Sequence, residues 1–356
     1  MFNWMLLFVP VTVALEFLVP ERHLFVFLAA ALAIVPLAGW LGRATEQLAE
    51  RAGEGVGGLL NATFGNATEL IIGIAALQAG LYDVVKASIV GSIVGNILLV
   101  LGASMLAGGL RYSEQHYNIF GARSQATLLT LAAIALVLPA AYNFAVASRV
   151  PHGLTALSLD ISVVLLLVYG LFLVFSLITH KSLFSGSIEI REGEAAAALW
   201  PVGKAVLVLG VATVLIAWMS ELLVGAIEPS AREFGLSNVF VGVFIVAILG
   251  NAAEHATAIS AALKNRMDLS LSIAIGSSVQ VALFVAPVLV LASHFIGPAP
   301  MDLAFSGGLV LSMLLSVLIT GQVAGDGRSD WLKGVQLLAV YLILALVFFF
   351  TPDATT

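Results

Sequence analysis

The sequence contains no cysteine, which excludes disulfides, iron–sulfur clusters and thiolate metal sites. Charged residues are scarce, 10% of 356, and the formal net charge of −6 is divided among short polar stretches. So few Lys and Arg give no reason to expect a nucleic-acid surface. Also missing are a Gly-x-Gly-x-x-Gly run, a P-loop lysine motif and a His-Glu-x-x-His pair, the signatures of dinucleotide, nucleotide and zinc-hydrolase chemistry. No cofactor and no enzymatic activity are therefore expected. An intramembrane hydrolase would have only Asp160 and His255 to draw on, and they form no dyad in sequence.

What is present is apolar: 60% of residues are hydrophobic and the mean hydropathy is +1.07, far from the range of soluble domains. The chain is an all-α integral membrane protein whose solvent is the lipid bilayer. Hydropathy predicts eleven transmembrane helices, at Phe2 to Leu18, His23 to Leu41, Gly55 to Gly80, Val84 to Gly109, Ser124 to Ala147 and Thr155 to Thr179, then Trp200 to Ile227, Ser237 to Leu263, Asp268 to His294, Met301 to Gly321 and Trp331 to Thr351. The first run begins at Phe2 with no Lys or Arg before Arg22, so it reads as a span and not as a cleaved signal.

Basic residues orient the bundle, because Lys and Arg accumulate in cytoplasmic loops. One set of connections carries Arg43, Arg51, Arg111, Arg123, Lys181, Arg191, Lys204, Lys264, Arg266, Arg328 and Lys333; the other carries only Arg22, Lys86, Arg149 and Arg232. The N-terminus is then cytoplasmic and the C-terminus outside. Short loops and a compact chain suggest a bacterial-type plasma membrane. The oligomeric state stays open, a homo-oligomer included.

Two stretches repeat. Gly-Asn-Ala-Thr-Glu from Gly65 to Glu69 returns as Gly-Asn-Ala-Ala-Glu from Gly250 to Glu254, and an offset of 185 aligns Gly65 to Leu98 with Gly250 to Leu283 without a gap. Eleven of those 34 positions are identical. Five spans separate the copies, so they cross in opposite directions and form an inverted repeat, a construction that places substrate where the halves meet. The expected layout is an extra N-terminal helix at 1–20, a five-helix repeat at 21–180, a short acidic cytoplasmic linker at 181–199 and a second five-helix repeat at 200–356. The linker, with Glu189, Glu192 and Glu194, reads as solvated, with a regulatory cation site as the alternative.

The chemistry follows from spacing. Residues three and four apart share a helix face, so Asn66, Glu69 and Gly65 project together, as do Asn251, Glu254 and Gly250. The following helices add Ser92 and Asn96 in one half, Ser277 and Gln280 in the other. Two carboxylates with hydroxyl and amide oxygens and no sulfur suit Ca²⁺ or Mn²⁺. A helix loosened at Gly65 or Gly250 would also turn backbone carbonyls inward, which is tolerated where they line a cavity. Two ionised carboxylates balance one divalent cation and two protons balance the same pair, so exchange at a shared site is expected, with Glu69 and Glu254 as proton-coupling groups. No Lys or Arg lies mid-span to pair with them.

Other features read more blandly. Gly91-x-x-x-Gly95 is a helix-packing surface. His255 is a packed, hydrogen-bonded histidine or a proton-handling group behind Glu254. Asp160 lies near a helix start, Glu46 and Glu221 form a weak candidate pair at an entrance, and Gly325-Asp326-Gly327 with Asp330 is a polar turn.

These residues resemble the calcium/proton exchangers of the cation/calcium antiporter superfamily. The likeness runs from about Val35 onward: Gly39 to Glu46, Gly57-Gly58-Leu59-Leu60-Asn61-Ala62-Thr63-Phe64, Gly250 to His255, and Gly276-Ser277-Ser278-Val279-Gln280. The resemblance implies an eleven-helix antiporter moving Ca²⁺ against a proton gradient. It also implies Glu69 and Glu254 as central ligands, Asn66 and Asn251 as their neighbours, Ser92, Ser277 and Gln280 on flanking helices, and sliding of the second and seventh helices. Asn96, His255, Gly65 and Gly250 stand behind those ligands as supporting candidates. Two departures stand out: the linker is short, and Gly95 and Asn96 face Gln280 and Val281 in the other half. Exchange of Na⁺ or Mn²⁺ for protons is the alternative on the same fold, and a cation channel is the alternative of another class.

Overall fold

The computed structural model describes residues 3–146, 153–180 and 200–352, so the acidic linker at 181–199 lies outside the described residues. Apolar runs fold as helices here for the reason they must in lipid, where every backbone N–H and C=O needs an internal partner. Among the described residues, eight helices are long and apolar enough to cross a membrane, or nine if one bent pair counts as a span. The chain is a multi-pass, mostly helical membrane protein.

In chain order the helices are α1 (Asn3–Leu18), α2 (His23–Ala52), α3 (Glu54–Phe64), α4 (Ala67–Gln78), α5 (Tyr82–Arg111), α6 (Ile119–Val146) and α7 (Gly153–Thr179), then α8 (Val202–Gly225), α9 (Ile227–Phe234), α10 (Asn238–Gly250), α11 (Ala252–Leu263), α12 (Met267–Ala292), α13 (Gly307–Asp326) and α14 (Trp331–Phe349). Burial ranks them. The apolar windows of α5 and α12 are 83% and 72% buried, against 22% for α7 and 28% for α6, α8 and α14, so α5 and α12 lie at the centre and α6, α7, α8 and α14 in the outer shell.

Four expectations need correction. The predicted helix from Gly55 to Gly80 is two helices, α3 and α4, parted at Gly65 and Asn66, and that from Ser237 to Leu263 is α10 and α11, parted at Asn251. Helix α2 continues past Leu41 to Ala52; the segment beyond Leu41 is too polar for a hydropathy span but is rich in Ala, Glu, Gln, Leu and Arg, which are good helix formers. The short helix α9 precedes α10 at a bend of 115°, where Gly235 takes the left-handed conformation (φ 65°). Finally, residues 301–306 are not helical although they are apolar. Met301, Leu303 and Phe305 are buried in alternation, the period of an extended strand, and backbone N–H groups of Met301 and Leu303 donate to Ser293 Oγ (2.7 Å) and Ser158 Oγ (2.9 Å).

Close approach fixes the centre. A Cβ on Gly91 of α5 would stand 2.6 Å from Val243 Cα, and one on Gly242 would stand 2.6 Å from Ala87 Cβ, so α5 and α10 touch backbone to backbone. Gly95 has nothing within 4 Å of such a Cβ; the packing surface ends at Gly91. At one end of the bundle Gln115–His116 pairs antiparallel with Arg328–Ser329. The adjoining turn is polar: Asp326 accepts from Arg328 N–H and Lys333 Nζ, and Asp330 Oδ1 caps α14 through Lys333 N–H.

Candidate cation-binding site

Each acidic motif sits where a helix is interrupted in the middle of the bundle. Asn66 (φ −101°, ψ 20°) precedes α4 and Asn251 (φ −99°, ψ 5°) precedes α11, nearly the same backbone twist, in the sparsely populated bridge region. The two glutamates then occupy the third residue of their helices. There an ionised carboxylate lies beside unsatisfied N–H groups and the positive end of the helix dipole.

Asn followed three residues later by Glu is the pattern of a capping box. Neither Asn side chain caps its own helix. Asn66 Nδ2 donates to Gln280 Oε1 of α12 at 2.5 Å, and Asn251 Nδ2 donates to Ser92 Oγ of α5 at 3.0 Å. Both amides therefore bind the opposite half of the molecule.

The carboxylates cross over in the same way. Glu254 Oε1 lies 3.8 Å from the Cβ position of Gly65, while Glu69 Oε1 lies 3.6 Å from that of Gly250. Each motif glycine is thus the floor beneath the other motif's carboxylate, where a Cβ would make van der Waals contact and a longer side chain would grow into it. Among the described residues neither carboxylate meets a Lys or Arg, so a structural ion pair does not account for them. Ser277 donates to Glu254 Oε2 at 2.5 Å. Glu69 Oε2, Asn66 Oδ1 and Asn251 Oδ1 are buried without a hydrogen-bond donor. Leaving a buried polar atom unpaired costs roughly 1–3 kcal/mol, and three oxygens gathered in this state form a ready set of hard ligands.

Beside Glu69 is a cavity of about 10 Å³, room for about one water. Its polar side chains are Glu69, Ser88 and Ser92; Ile72, Val285 and Leu289 are among its apolar ones.

Residues 22–178 and 204–350 match the sodium/calcium exchanger protein family. The chain belongs to that family. It is 45% identical to a Ca(2+)/H(+) antiporter of Aphanothece halophytica, with 99% of this chain and 96% of the relative covered, and 44% identical to the Ca(2+)/H(+) antiporter ChaA of Bacillus subtilis, with 91% of each covered. Among solved structures, native YfkE matches with a TM-score of 0.82 at 39% identity over 98% of this chain and 99% of that one. The H+/Ca2+ exchanger CAX matches at 0.70 and 16% identity, over 97% and 90%, a likeness of fold.

Hydrogen bonds and close contacts bring Asn66, Glu69, Ser92, Asn251, Glu254, Ser277 and Gln280 into one cluster. Asn96 and His255 stand beside it: His255 Nε2 lies 3.1 Å from Asn96 Oδ1, and since an amide oxygen only accepts, the ring nitrogen donates. Wide π-helical turns follow the site in both central helices, at Gly95–Val100 and Val281–Val285, equivalent places under the 185-residue offset, and such turns frequent functional sites. Asp160, Glu46 and Glu221 are exposed and outside the cluster. Ser88 is absent from the sequence-derived set because its counterpart under the offset is Ile273, so no repetition marks it. Only its place one helical turn from Ser92 could have found it.

Proposed function

We propose that the chain is a secondary transporter exchanging Ca²⁺ for H⁺ by alternating access, with the cation and protons competing for Glu69 and Glu254. The observation that carries this reading is the crossed pair of motifs with its three donorless oxygens. A divalent cation would draw on Glu69, Glu254, Asn66, Asn251, Ser92, Ser277 and Gln280. When it leaves, two protons restore charge balance within a medium that tolerates little net charge. Binding and release suffice, and no covalent step is involved.

The reading includes eleven crossings: α1, α2, α3 with α4, α5, α6 and α7, then α8, α10 with α11, α12, α13 and α14. Helix α1 stands outside two inverted halves, 21–180 and 200–356, joined by the linker at 181–199. Two facts support the inversion. The contact of Gly65 with Glu254 is matched by that of Gly250 with Glu69, the reciprocity a two-fold relation demands. Ser278 Oγ donates to the carbonyl of Ile93 at 3.3 Å, its own counterpart under the offset, as expected of residues on the axis.

Arg43, Arg51, Arg111, Arg123, Lys204, Lys264, Arg266, Arg328 and Lys333 lie toward one end of the bundle, and Arg22, Lys86 and Arg232 toward the other. The first end is assigned to the cytoplasm, with the N-terminus there, the C-terminus outside, and the bacterial plasma membrane as the location.

The test is uptake of radiolabelled Ca²⁺ by proteoliposomes under an imposed pH gradient, with voltage held at zero. Concentrative uptake that is lost in Glu69→Gln and in Glu254→Gln is expected. Ca²⁺ movement only down its own gradient would instead indicate a channel, and pH-driven uptake of Na⁺ or Mn²⁺ in its place would reassign the substrate.

A further inference from the structure

The cavity beside Glu69 has a direction. Its walls follow α4 from Glu69 to Ile72, α5 from Ser92 back to Ser88, and α12 from Val281 to Leu289. All three lead toward the end of the bundle at which α4 passes into α5 and the 293–306 segment covers both. Beyond the acidic centre the cavity's lining is apolar except for Ser88, which is four residues from Ser92 and on the same face of α5.

We propose that Ser88 is a cation station on the route between this end of the bundle and Glu69. A divalent cation sheds hydration only where protein oxygens replace the lost water, and in this stretch the side chains offer one such oxygen. The hydroxyl is prepared for that task. Ser88 Oγ donates its hydrogen to Val85 O at 2.9 Å, which leaves the oxygen's lone pairs for a positive ligand.

The neighbouring positive charge is held elsewhere. Lys86, two residues away, has Nζ 2.7 Å from Asp302 Oδ1 and 3.0 Å from Ala304 O, so it is neutralised by the 293–306 segment. The counterpart of Ser88 in the other half is Ile273, so the station serves one side of the exchange cycle only. The inference rests on the proposed Ca²⁺/H⁺ exchange.

The absence of cysteine supplies the test. Ser88→Cys introduces a single thiol into the full chain, whose reaction with a membrane-impermeant trimethylammonium thiosulfonate is timed in vesicles of known sidedness. Reaction from the face opposite Arg51 and Arg111 is expected, slowed several-fold by Ca²⁺, with that protection lost when Glu69→Gln is added. A thiol unreactive from that face, or modified at a rate Ca²⁺ does not change, overturns the station. Ser88→Ala and Ser88→Thr give an independent measure in the pH-driven uptake assay. Removing the hydroxyl should raise the Ca²⁺ concentration for half-maximal uptake by roughly fivefold, the factor of one modest ligand interaction, and Thr should restore it. If wild-type protein takes up Ca²⁺ against its gradient but both Ser88 variants match it, the station fails and the exchange reading stands; if wild type shows no pH-driven uptake, the exchange reading fails first.

Discussion

Gly91→Ala tests whether the two halves are held at backbone contact. A Cβ at Gly91 would lie 2.6 Å from Val243 Cα and 2.8 Å from its carbonyl carbon, with the carbonyl oxygen nearer still. Carbon atoms rest at about 3.5–4.0 Å, so α5 and α10 would have to part by ~1 Å. Main-chain atoms of a helix cannot rotate aside as a side-chain tip can. Overpacking of this kind costs about 1–3 kcal/mol. The separation would also strain the 3.0 Å bond from Asn251 to Ser92, the next residue. Gly95→Ala is the internal control. It lies one turn along the same helix, has nothing within 4 Å, and exchanges Gly for a residue favoured in helices by up to about 1 kcal/mol. Thermal unfolding in detergent, followed by tryptophan fluorescence, should show a lowered midpoint for Gly91→Ala and an unchanged or raised one for Gly95→Ala. Equal midpoints would refute the backbone contact.

Asn66→Ala removes both the bond to Gln280 and an unpaired oxygen; the Ca²⁺ concentration for half-maximal uptake should rise by about tenfold or more, as expected for a loss above ~1.4 kcal/mol, with the fold retained by circular dichroism. Lys86→Met leaves Asp302 without its cation in a site where the two side chains are 13% and 30% exposed. A loss of ~2 kcal/mol is expected, below the range for a fully buried pair, with partial recovery in the double variant with Asp302→Asn. Trp200→Ala removes two ring contacts: against Trp40 of α2 at 5.9 Å, and under Lys204 Nζ of α8 at 4.4 Å. Unfolding should be easier by ~1–2 kcal/mol. Burial, with Asp326 nearby, raises the Tyr117 phenol above its ordinary range. A raised folded-state value means that its contribution is complete below about pH 10 and is lost as pH rises from there, so alkaline unfolding should be blunted in Tyr117→Phe relative to its own neutral-pH stability.

Eight of the spans were legible in the sequence as single long apolar helices, because a bilayer sets one dominant requirement, about 20 apolar residues per crossing. Their ends were not, since hydropathy measures solvent preference and not backbone conformation. Ala44, Thr45 and Ala49 remain buried in α2 among polar neighbours, while Met301, Leu303 and Phe305 are apolar and buried without being helical. The site was legible where it repeats. Asn66, Glu69, Asn251 and Glu254 were marked by the offset, and Ser92, Ser277 and Gln280 by their place one helix on. Features without a counterpart in the other half left no such trace: Ser88, the π-turn at Val241–Val246, and the pairing of Lys86 with a residue 216 positions away.

The motifs also show why an ordinary local rule fails here. In a water-exposed helix, Asn at the start and Glu three residues later would satisfy each other's backbone donors, and the motif would do no more than begin a helix. In the middle of an apolar bundle a helix has no need to begin, because starting there exposes N–H and C=O groups to a medium that cannot bind them. A capping sequence at mid-span, present twice, thus calls for a partner outside its own helix. The amides find theirs in Gln280 and Ser92, one across each interface, and those bonds position the amide oxygens without using them. Glu254 has Ser277, whereas Glu69 keeps one oxygen unpaired beside the cavity. The two motifs are alike in backbone and unlike in hydrogen bonding. In alternating access the side that is open sets the direction in which an ion leaves, so the inequality bears on the relative stability of the two access states and not on direction.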